Sequence, residues 1–192
     1  MADTWPKARL HLILWLAAAF VWSAAEAFAV IIVADVLLTL IALRVGPRVA
    51  LLAALVAALG ALVGGAALYV WAENFPGAVR SFLIGLPAID AAMVDGAGGA
   101  LSASPLAALL KGAVTGVPFK VFAAAAPQAG LSVGAFLMLG FIARLARYVG
   151  AVVLATLAVA LIPALRDRHT AMLTWMLFWV GFYGLYWGLM PA

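Results

Sequence analysis

Long apolar runs with few polar interruptions dominate this sequence. The clearest run, residues 49–72, has no charged side chain over 24 residues and ends close to Trp71. Uninterrupted runs of about 18 or more apolar residues are typical of helices that cross a membrane, whereas the strands of a membrane barrel alternate in polarity. This run therefore predicts one full transmembrane helix, and residues 148–165 and 171–190 predict two more. We expect an all-α, polytopic membrane protein in one membrane domain, with about three full spans.

Residues 10–43 form an apolar stretch that is too long for one span and too short for two spans with a turn. Glu26 and Asp35 lie within it, and a separation of nine residues puts them on opposite faces of a continuous helix. A break between them would let both acids face a protein-lined cavity. The alternative is one long, tilted helix with Asp35 near its end.

Basic residues flank this stretch on both sides, and cytoplasmic segments of membrane proteins carry an excess of Lys and Arg. Both ends are therefore expected on the cytoplasmic side, which predicts a re-entrant hairpin over residues 10–43. The flanking residues are Lys7 and Arg9 before the stretch, and Arg44 and Arg48 after it.

Residues 111–147 predict a second re-entrant segment. Pro118 and Pro127 interrupt an apolar stretch and disfavour a straight helix. Lys111 and Lys120 are nine residues apart, the same spacing as the two acids. Corresponding broken segments of this kind are typical of an inverted repeat, here with opposed hairpins of opposite charge.

Arg144 and Arg147 end this segment and share a helix face with Tyr148. The alternative is a simple span over residues 121–143, with both arginines in a cytoplasmic loop. Between the first full span and the second hairpin, residues 73–110 contain only short apolar pieces among Pro, Gly, Ser and Asp. They predict interfacial helices joined by loops at the outer surface.

Composition narrows the class of protein further. Of 192 residues, 69% are hydrophobic and 9% are charged, which excludes a soluble domain of this size. The net charge of +4 reflects basic residues that mostly flank apolar runs, so no nucleic-acid partner is expected. The sequence has no cysteine and no HExxH or GxSG motif, and His11 and His169 lie near predicted membrane boundaries. We expect no enzyme activity, no metal site and no cofactor.

The buried acids and bases carry the candidate chemistry. An ionisable side chain at membrane depth costs at least about 2.5 kcal/mol, so it persists where it is paired, hydrated or functional. Glu26 and Asp35 are candidates for proton coupling. Lys111, Lys120, Arg144 and Arg147 are candidates for binding an anion such as phosphate. A purely structural alternative is that these charges form ion pairs that only assemble the fold.

Four segments carry a resemblance to a known family: EAFAVIIVADVLL, GALVGGAALYVWA, TGVPFKVFAAAAPQAG and FIARLARY. Together they resemble the DedA family, also called VTT-domain or SNARE-associated Golgi proteins, over roughly residues 22–165. The resemblance implies two re-entrant hairpins that enter from opposite sides and meet at the membrane centre. It places Glu26 and Asp35 at the family's acidic pair and Lys120 at the arginine that follows the loop proline, Pro118.

The second loop would be shaped by Thr115, Pro118 and Gln128. Thr115 stands where many family members have another arginine, and Ile31 to Ala34 replace the prolines of the first loop. The resemblance implies a transporter of lipid phosphates, such as undecaprenyl phosphate or a phospholipid, in the bacterial cytoplasmic membrane. Its partners would be a lipid phosphate headgroup, membrane lipids and protons. The alternative is a proton-coupled exporter of small solutes or an ion pathway. Small-residue spacings, as at Gly60 and Gly64, are compatible with a homodimer.

Overall fold

The computed structural model describes residues 4–189, with side chains from residue 9 onward, and these residues form helices and turns without a strand. The side chain of Lys7, expected at the cytoplasmic side, and Met190, the expected end of the last span, lie outside the described residues. The helices are α1 (Thr4–Phe28), α2 (Asp35–Arg44), α3 (Pro47–Asn74), α4 (Pro76–Ile84), α5 (Ala91–Ala103), α6 (Pro105–Thr115), α7 (Phe119–Ala125), α8 (Val133–Leu161), a short 3₁₀ helix (Pro163–Arg166) and α9 (Arg168–Leu189).

Four helices of the described residues are long and apolar enough to cross a membrane: Arg9–Phe28 within α1, and α3, α8 and α9. The protein is therefore an all-helical, multi-pass membrane protein. This number exceeds the expected three full spans by one. The additional helix is α1, which was expected to form only the first half of a re-entrant hairpin but is long enough to cross the membrane.

Helices α1 and α3 lie side by side and run in the same direction. A Cβ atom added at Gly60 would lie 2.2 Å from the carbonyl oxygen of Phe20, and one at Gly64 would lie 2.1 Å from that of Ala24. The two glycines therefore bring the helix backbones into direct contact, as small residues do between membrane helices. The contact advances along both helices together, so α1 and α3 are parallel.

Parallel neighbours require the chain to turn back between them, and α2 makes this return. Helix α1 ends at Phe28 and α2 begins at Asp35, so the predicted break between Glu26 and Asp35 is present and the single tilted helix is wrong. Leu38 and Ile41 of α2 are fully buried in a cluster with alanines of the first half of α3.

Helix α8 runs antiparallel to α3 along its length. The hydroxyl of Tyr69, near the end of α3, donates to the carbonyl of Leu131, just before α8. Tyr148, much further along α8, is buried against alanines of the first half of α3.

Two expected boundaries are wrong. The break expected after residue 147 does not exist, because α8 is continuous from Val133 to Leu161; the span expected over residues 148–165 is only its second half. The boundary expected at residue 111 falls inside α6. Arg144 lies in the middle of α8 and is buried, so the alternative of a cytoplasmic loop there is also wrong. Hydropathy alone places a boundary at charged residues, but here the charges are paired inside the protein.

Helices α6 and α7 form a second reversal of the chain. Gly116 ends α6 in the left-handed conformation, with φ of 89°, and Pro118 precedes α7 in an extended conformation. The carbonyl of Ala113, near the end of α6, accepts a hydrogen bond from Arg147 in the middle of α8. After α7 the chain returns to the end of α3, where the Gln128 side chain donates to the carbonyl of Ala72 at 3.0 Å. The α6–α7 reversal therefore returns to the end of α3, whereas α2 leads to its start.

Candidate functional site

A buried ion pair between α1 and α8 forms the centre of the site. Arg144 Nη2 lies 2.6 Å from Glu26 Oε1, and both side chains are less than a tenth exposed. The guanidinium also lies over the rings of Phe119 and Tyr148, at 5.2 and 4.8 Å from their centroids. An arginine suits this position because its flat, delocalised cation stacks on aromatic faces while it donates to a carboxylate.

Neutral donors complete the surroundings of Glu26. The backbone N–H of Ala34, at the start of α2, donates to Glu26 Oε2 at 3.0 Å, and the hydroxyl of Tyr148 donates to the same oxygen at 3.2 Å. Tyr148 is also hydrogen-bonded to Arg144 and lies 2.6 Å from the hydroxyl of Ser23. A buried carboxylate needs such a set of donors because each unmet acceptor in an apolar interior is costly.

A second ion pair lies beside the first, where α2 meets α8. Arg147 Nε and Nη2 both donate to Asp35 Oδ2, at 2.8 and 2.6 Å. The Arg147 side chain is 23% exposed, whereas that of Arg144 is 4% exposed. The second pair is therefore the accessible side of the site.

Lys120 is the third base and it differs from the two arginines. It is 2% exposed, and its ammonium group donates to the carbonyl of Val30, in the loop between α1 and α2, at 2.8 Å. Among the described residues, Lys120 forms no salt bridge with a carboxylate. The contact joins the tips of the two chain reversals, because Lys120 follows the α6–α7 turn and Val30 follows α1.

We call Glu26, Asp35, Lys120, Arg144 and Arg147 the charge cluster. At their ordinary charges, three bases and two acids leave one excess positive charge. Among the described side chains, two buried polar atoms have no hydrogen-bond partner, and both belong to the cluster: Asp35 Oδ1 and Arg144 Nε. Excess charge and unmet polar atoms together indicate a place for an anion or for water.

A small cavity of ≈ 60 Å³ adjoins the cluster. Glu26, Lys120, Arg144 and Arg147 all line it, and aromatic residues of α9, including Tyr183, close one side. The backbone N–H of Val33 donates to the Tyr183 hydroxyl at 2.7 Å, so α9 is hydrogen-bonded to the first loop at the edge of the cavity.

The structure brings together five of the six charged residues singled out in the sequence. Lys111 is the exception: it is exposed on α6 and does not line the cavity beside Lys120. The matching nine-residue spacing of the lysines therefore does not correspond to matching positions in the site, because α6 ends at Thr115 and the chain reverses before Lys120.

The three residues expected to shape the second loop occupy different places. Pro118 directly precedes α7 and lines the cavity. Thr115 is exposed, and its hydroxyl donates to the carbonyl of Lys111 one turn earlier. Gln128 lies away from the turn, and its side chain contacts the end of α3.

The site also contains three residues for which the sequence predicts no role: Ser23, Phe119 and Tyr148. A signal existed for two of them, because Ser23 lies three residues before Glu26 and Tyr148 four residues after Arg144, which puts each on the same helix face as a charged residue. Phe119 had no such signal, since its contact with Arg144 depends on how α7 packs against α8.

No group of three or more His, Asp or Glu side chains in the described part of the chain could hold a metal ion. Comparison with known proteins adds no relative: no family model, no curated protein and no solved structure matches this chain.

Proposed function

We propose that this protein moves a lipid phosphate, such as a polyprenyl phosphate or a phospholipid, across the bacterial cytoplasmic membrane, as proteins of the DedA family do. The single observation that carries the proposal is the charge cluster, with its excess positive charge and with Lys120, which forms no salt bridge to a carboxylate among the described residues. A buried cation without a counter-charge is expensive unless an anion binds to it.

Lysine and arginine are suited to phosphate. A phosphate monoester carries one or two negative charges and several acceptor oxygens, which match an ammonium group and the N–H groups of guanidinium. Arg144 Nε is available, since it has no partner in the described structure. The headgroup would thus be held by Lys120, Arg144 and Arg147.

The depth of the cluster supports translocation rather than binding at one surface. Arg144 and Arg147 lie near the middle of the 29-residue α8, which is long and apolar enough to cross a membrane. Two reversals of the chain approach this depth from opposite ends of α3, one through Val30 and one through Lys120. We interpret them as two opposed re-entrant hairpins that shorten the path a headgroup must cross without water.

The two acids provide a means of coupling to protons. When the two acids are ionised, Glu26 forms an ion pair with Arg144 and Asp35 forms one with Arg147, each with an N–O distance of 2.6 Å. Protonation of an acid would remove its charge and release its arginine for the phosphate. Proton uptake and lipid binding would therefore favour each other.

The proposal is tested by replacing Lys120 and measuring lipid movement. Purified protein is reconstituted in phosphatidylcholine vesicles containing a fluorescent polyprenyl phosphate, and its transfer between leaflets is followed by quenching from outside. Loss of one hydrogen bond to a charged group weakens binding by about 1.5–3 kcal/mol, so Lys120→Gln should slow transfer about 10- to 100-fold.

Lys111→Gln is the matched control, because it removes the same charge from an exposed position outside the cavity. It should transfer lipid like the wild type. Unchanged transfer in Lys120→Gln, or equal slowing in both variants, would count against phosphate binding by the cluster. If the wild type conducts protons or small anions but moves no lipid, the protein is an exporter or ion pathway instead.

The topology can be tested independently, because the chain has no cysteine. Single cysteines replace Val45 and His169, near one end of the helices, and Gly77 and Gly134, near the other. Opposed hairpins require labelling of the first two positions only from the cytoplasm and of the other two only from outside. Labelling of Val45 and Gly77 from the same side would contradict this arrangement.

A further inference from the structure

A long apolar groove lies between α8 and α9 and opens the charge cluster to the side of the protein. Its volume is ≈ 460 Å³, and Asp35 and Arg147 lie at one end of it. The other lining residues are nearly all apolar, among them Ala155 and Ala158 of α8 and Phe178 of α9. The groove therefore extends from a buried ion pair along a hydrocarbon-lined path.

Small and large residues face each other across this groove. Ala151, Ala155 and Ala158 share one face of α8, because they are spaced four and three residues apart. Aromatic side chains of α9 face them but do not fill the space that the alanines leave. From Arg147 to Ala158 the groove follows α8 for about 16 Å at 1.5 Å per residue.

Helix α9 is held over the groove by a few polar contacts. The indole N–H groups of Trp175 and Trp179 donate to the hydroxyl of Thr39 in α2, at 3.0 and 3.2 Å, and Tyr183 accepts from Val33. Apart from Ala171 near its start, no residue of α9 is buried in the protein.

Arg147 and Phe182 line both the groove and the small cavity at Lys120. They stand at the junction of an apolar space and a cationic one. A molecule that filled both would have a phosphate at one end and a hydrocarbon chain at the other.

We propose that the groove between α8 and α9 binds the hydrocarbon tail of the lipid whose phosphate is held by Lys120, Arg144 and Arg147. This inference rests on the proposed function and extends it to the tail. The tail stays in an apolar environment while the headgroup is at the charge cluster, so only the phosphate has to leave water.

The test fills the groove and compares two ligands. Ala155→Trp places a large ring among the alanines of α8. Val153→Trp is the matched control, because Val153 is exposed two residues away on the same helix and does not line the groove. Binding to the proteins in phosphatidylcholine nanodiscs is measured for a long-chain polyprenyl phosphate and for isopentenyl phosphate, whose short chain does not extend from Arg147 as far as Ala155.

We expect Ala155→Trp to weaken binding of the long-chain lipid about tenfold, since the tail can enter the groove only by displacing the indole ring, and overpacking of this kind has an effect of this size. Its affinity for the short-chain phosphate should be unchanged. Val153→Trp should bind both ligands like the wild type. If Ala155→Trp fails to fold, Ala158→Phe fills the far end of the groove and is expected to show the same selective loss.

Wild-type affinity of a folded groove variant for the long-chain lipid, or equal weakening by Val153→Trp, would overturn the inference. Failure of the proposed function has a different signature. In that case the wild type would bind neither phosphate, or Lys120→Gln would bind both as the wild type does.

Discussion

The charge cluster has two walls that differ in how they are packed. Helices α1 and α3 form one wall, and α9 forms the other. Twelve of the 28 residues of α3 are buried in the protein, whereas Ala171 is the only buried residue among the 22 of α9. Both helices contain a series of glycines. Gly60 and Gly64 of α3 contact α1 directly, whereas a Cβ added at Gly181, Gly184 or Gly188 of α9 would meet nothing within 4 Å.

The two walls therefore adjoin different ion pairs of the cluster. The wall of α1 and α3 fixes the position of Glu26 and hence of Arg144, the more buried pair. The wall of α9 adjoins Asp35 and Arg147, the pair that lines the groove. Under the proposed function, the wall of α1 and α3 holds the charges in place and the wall of α9 admits the lipid.

The largest expected effect concerns the two arginines. Arg144→Met leaves Glu26 buried without its partner, which we expect to destabilise the protein by about 3–5 kcal/mol. Arg147→Met should destabilise it less, because the Arg147 side chain is 23% exposed and its ion pair is partly hydrated, whereas Arg144 is 4% exposed. Equilibrium unfolding of both variants in the same detergent measures the difference.

Adding Glu26→Gln to Arg144→Met should restore part of the lost stability, since the buried charge is then removed. Equal destabilisation by the two arginine variants would mean that both walls hold their ion pairs equally firmly.

The next effect compares glycines of the two walls. Gly64→Leu forces a side chain against the backbone of Ala24, and overpacking of this kind typically costs about 1–3 kcal/mol or more. Gly184→Leu on α9 adds the same side chain in open space and should leave stability unchanged. Thermal unfolding in detergent, together with elution as a single species, is the measurement. A Gly64→Leu variant as stable as Gly184→Leu would show that α1 and α3 are not in backbone contact.

A smaller effect is expected at the attachment of α9. Thr39→Val removes the acceptor of two indole N–H groups, and each such hydrogen bond contributes about 1 kcal/mol. Hydrogen exchange of the α9 backbone should accelerate while exchange in α3 stays the same. Thr156→Val is the control, because that hydroxyl donates only within its own helix, to Val152. Faster exchange throughout the protein would instead mean that α9 is packed as firmly as α1 and α3.

The smallest effect belongs to an exposed ion pair between α4 and α5, outside the charge cluster. Arg80 donates to both oxygens of Asp95, and the nearby guanidinium lowers the pKa of that carboxyl below its usual value. A lowered pKa adds stability above the usual carboxyl pKa of about 4, and this contribution is lost as the pH falls through the lowered value. Water screens the pair, so Asp95→Asn should unfold at the same temperature as the wild type at pH 7. A clear loss of stability would mean that the Arg80–Asp95 pair contributes as much to stability as the buried ion pairs do.

The sequence by itself determined the class of the protein and several of its features. A fully apolar run such as residues 49–72 has no soluble alternative, and the opposite faces of Glu26 and Asp35 on one helix favoured the break that occurs between them. The same local logic singled out Lys120, Arg144 and Arg147, because a charge in an apolar run requires an explanation wherever the rest of the chain lies.

The tertiary structure decided which charges meet. Asp35 and Arg147 are 112 residues apart in sequence, and no local pattern specifies their pairing. Lys111 fits the same pattern as Lys120 but lies outside the cluster, since the chain reverses between them. The continuity of α8 through Arg144 was missed for the same reason: hydropathy counts a buried, paired arginine as a polar interruption, whereas Glu26 neutralises it inside the protein. Hydropathy is a property of neighbouring residues, but the pairing of charges depends on the packing of distant helices.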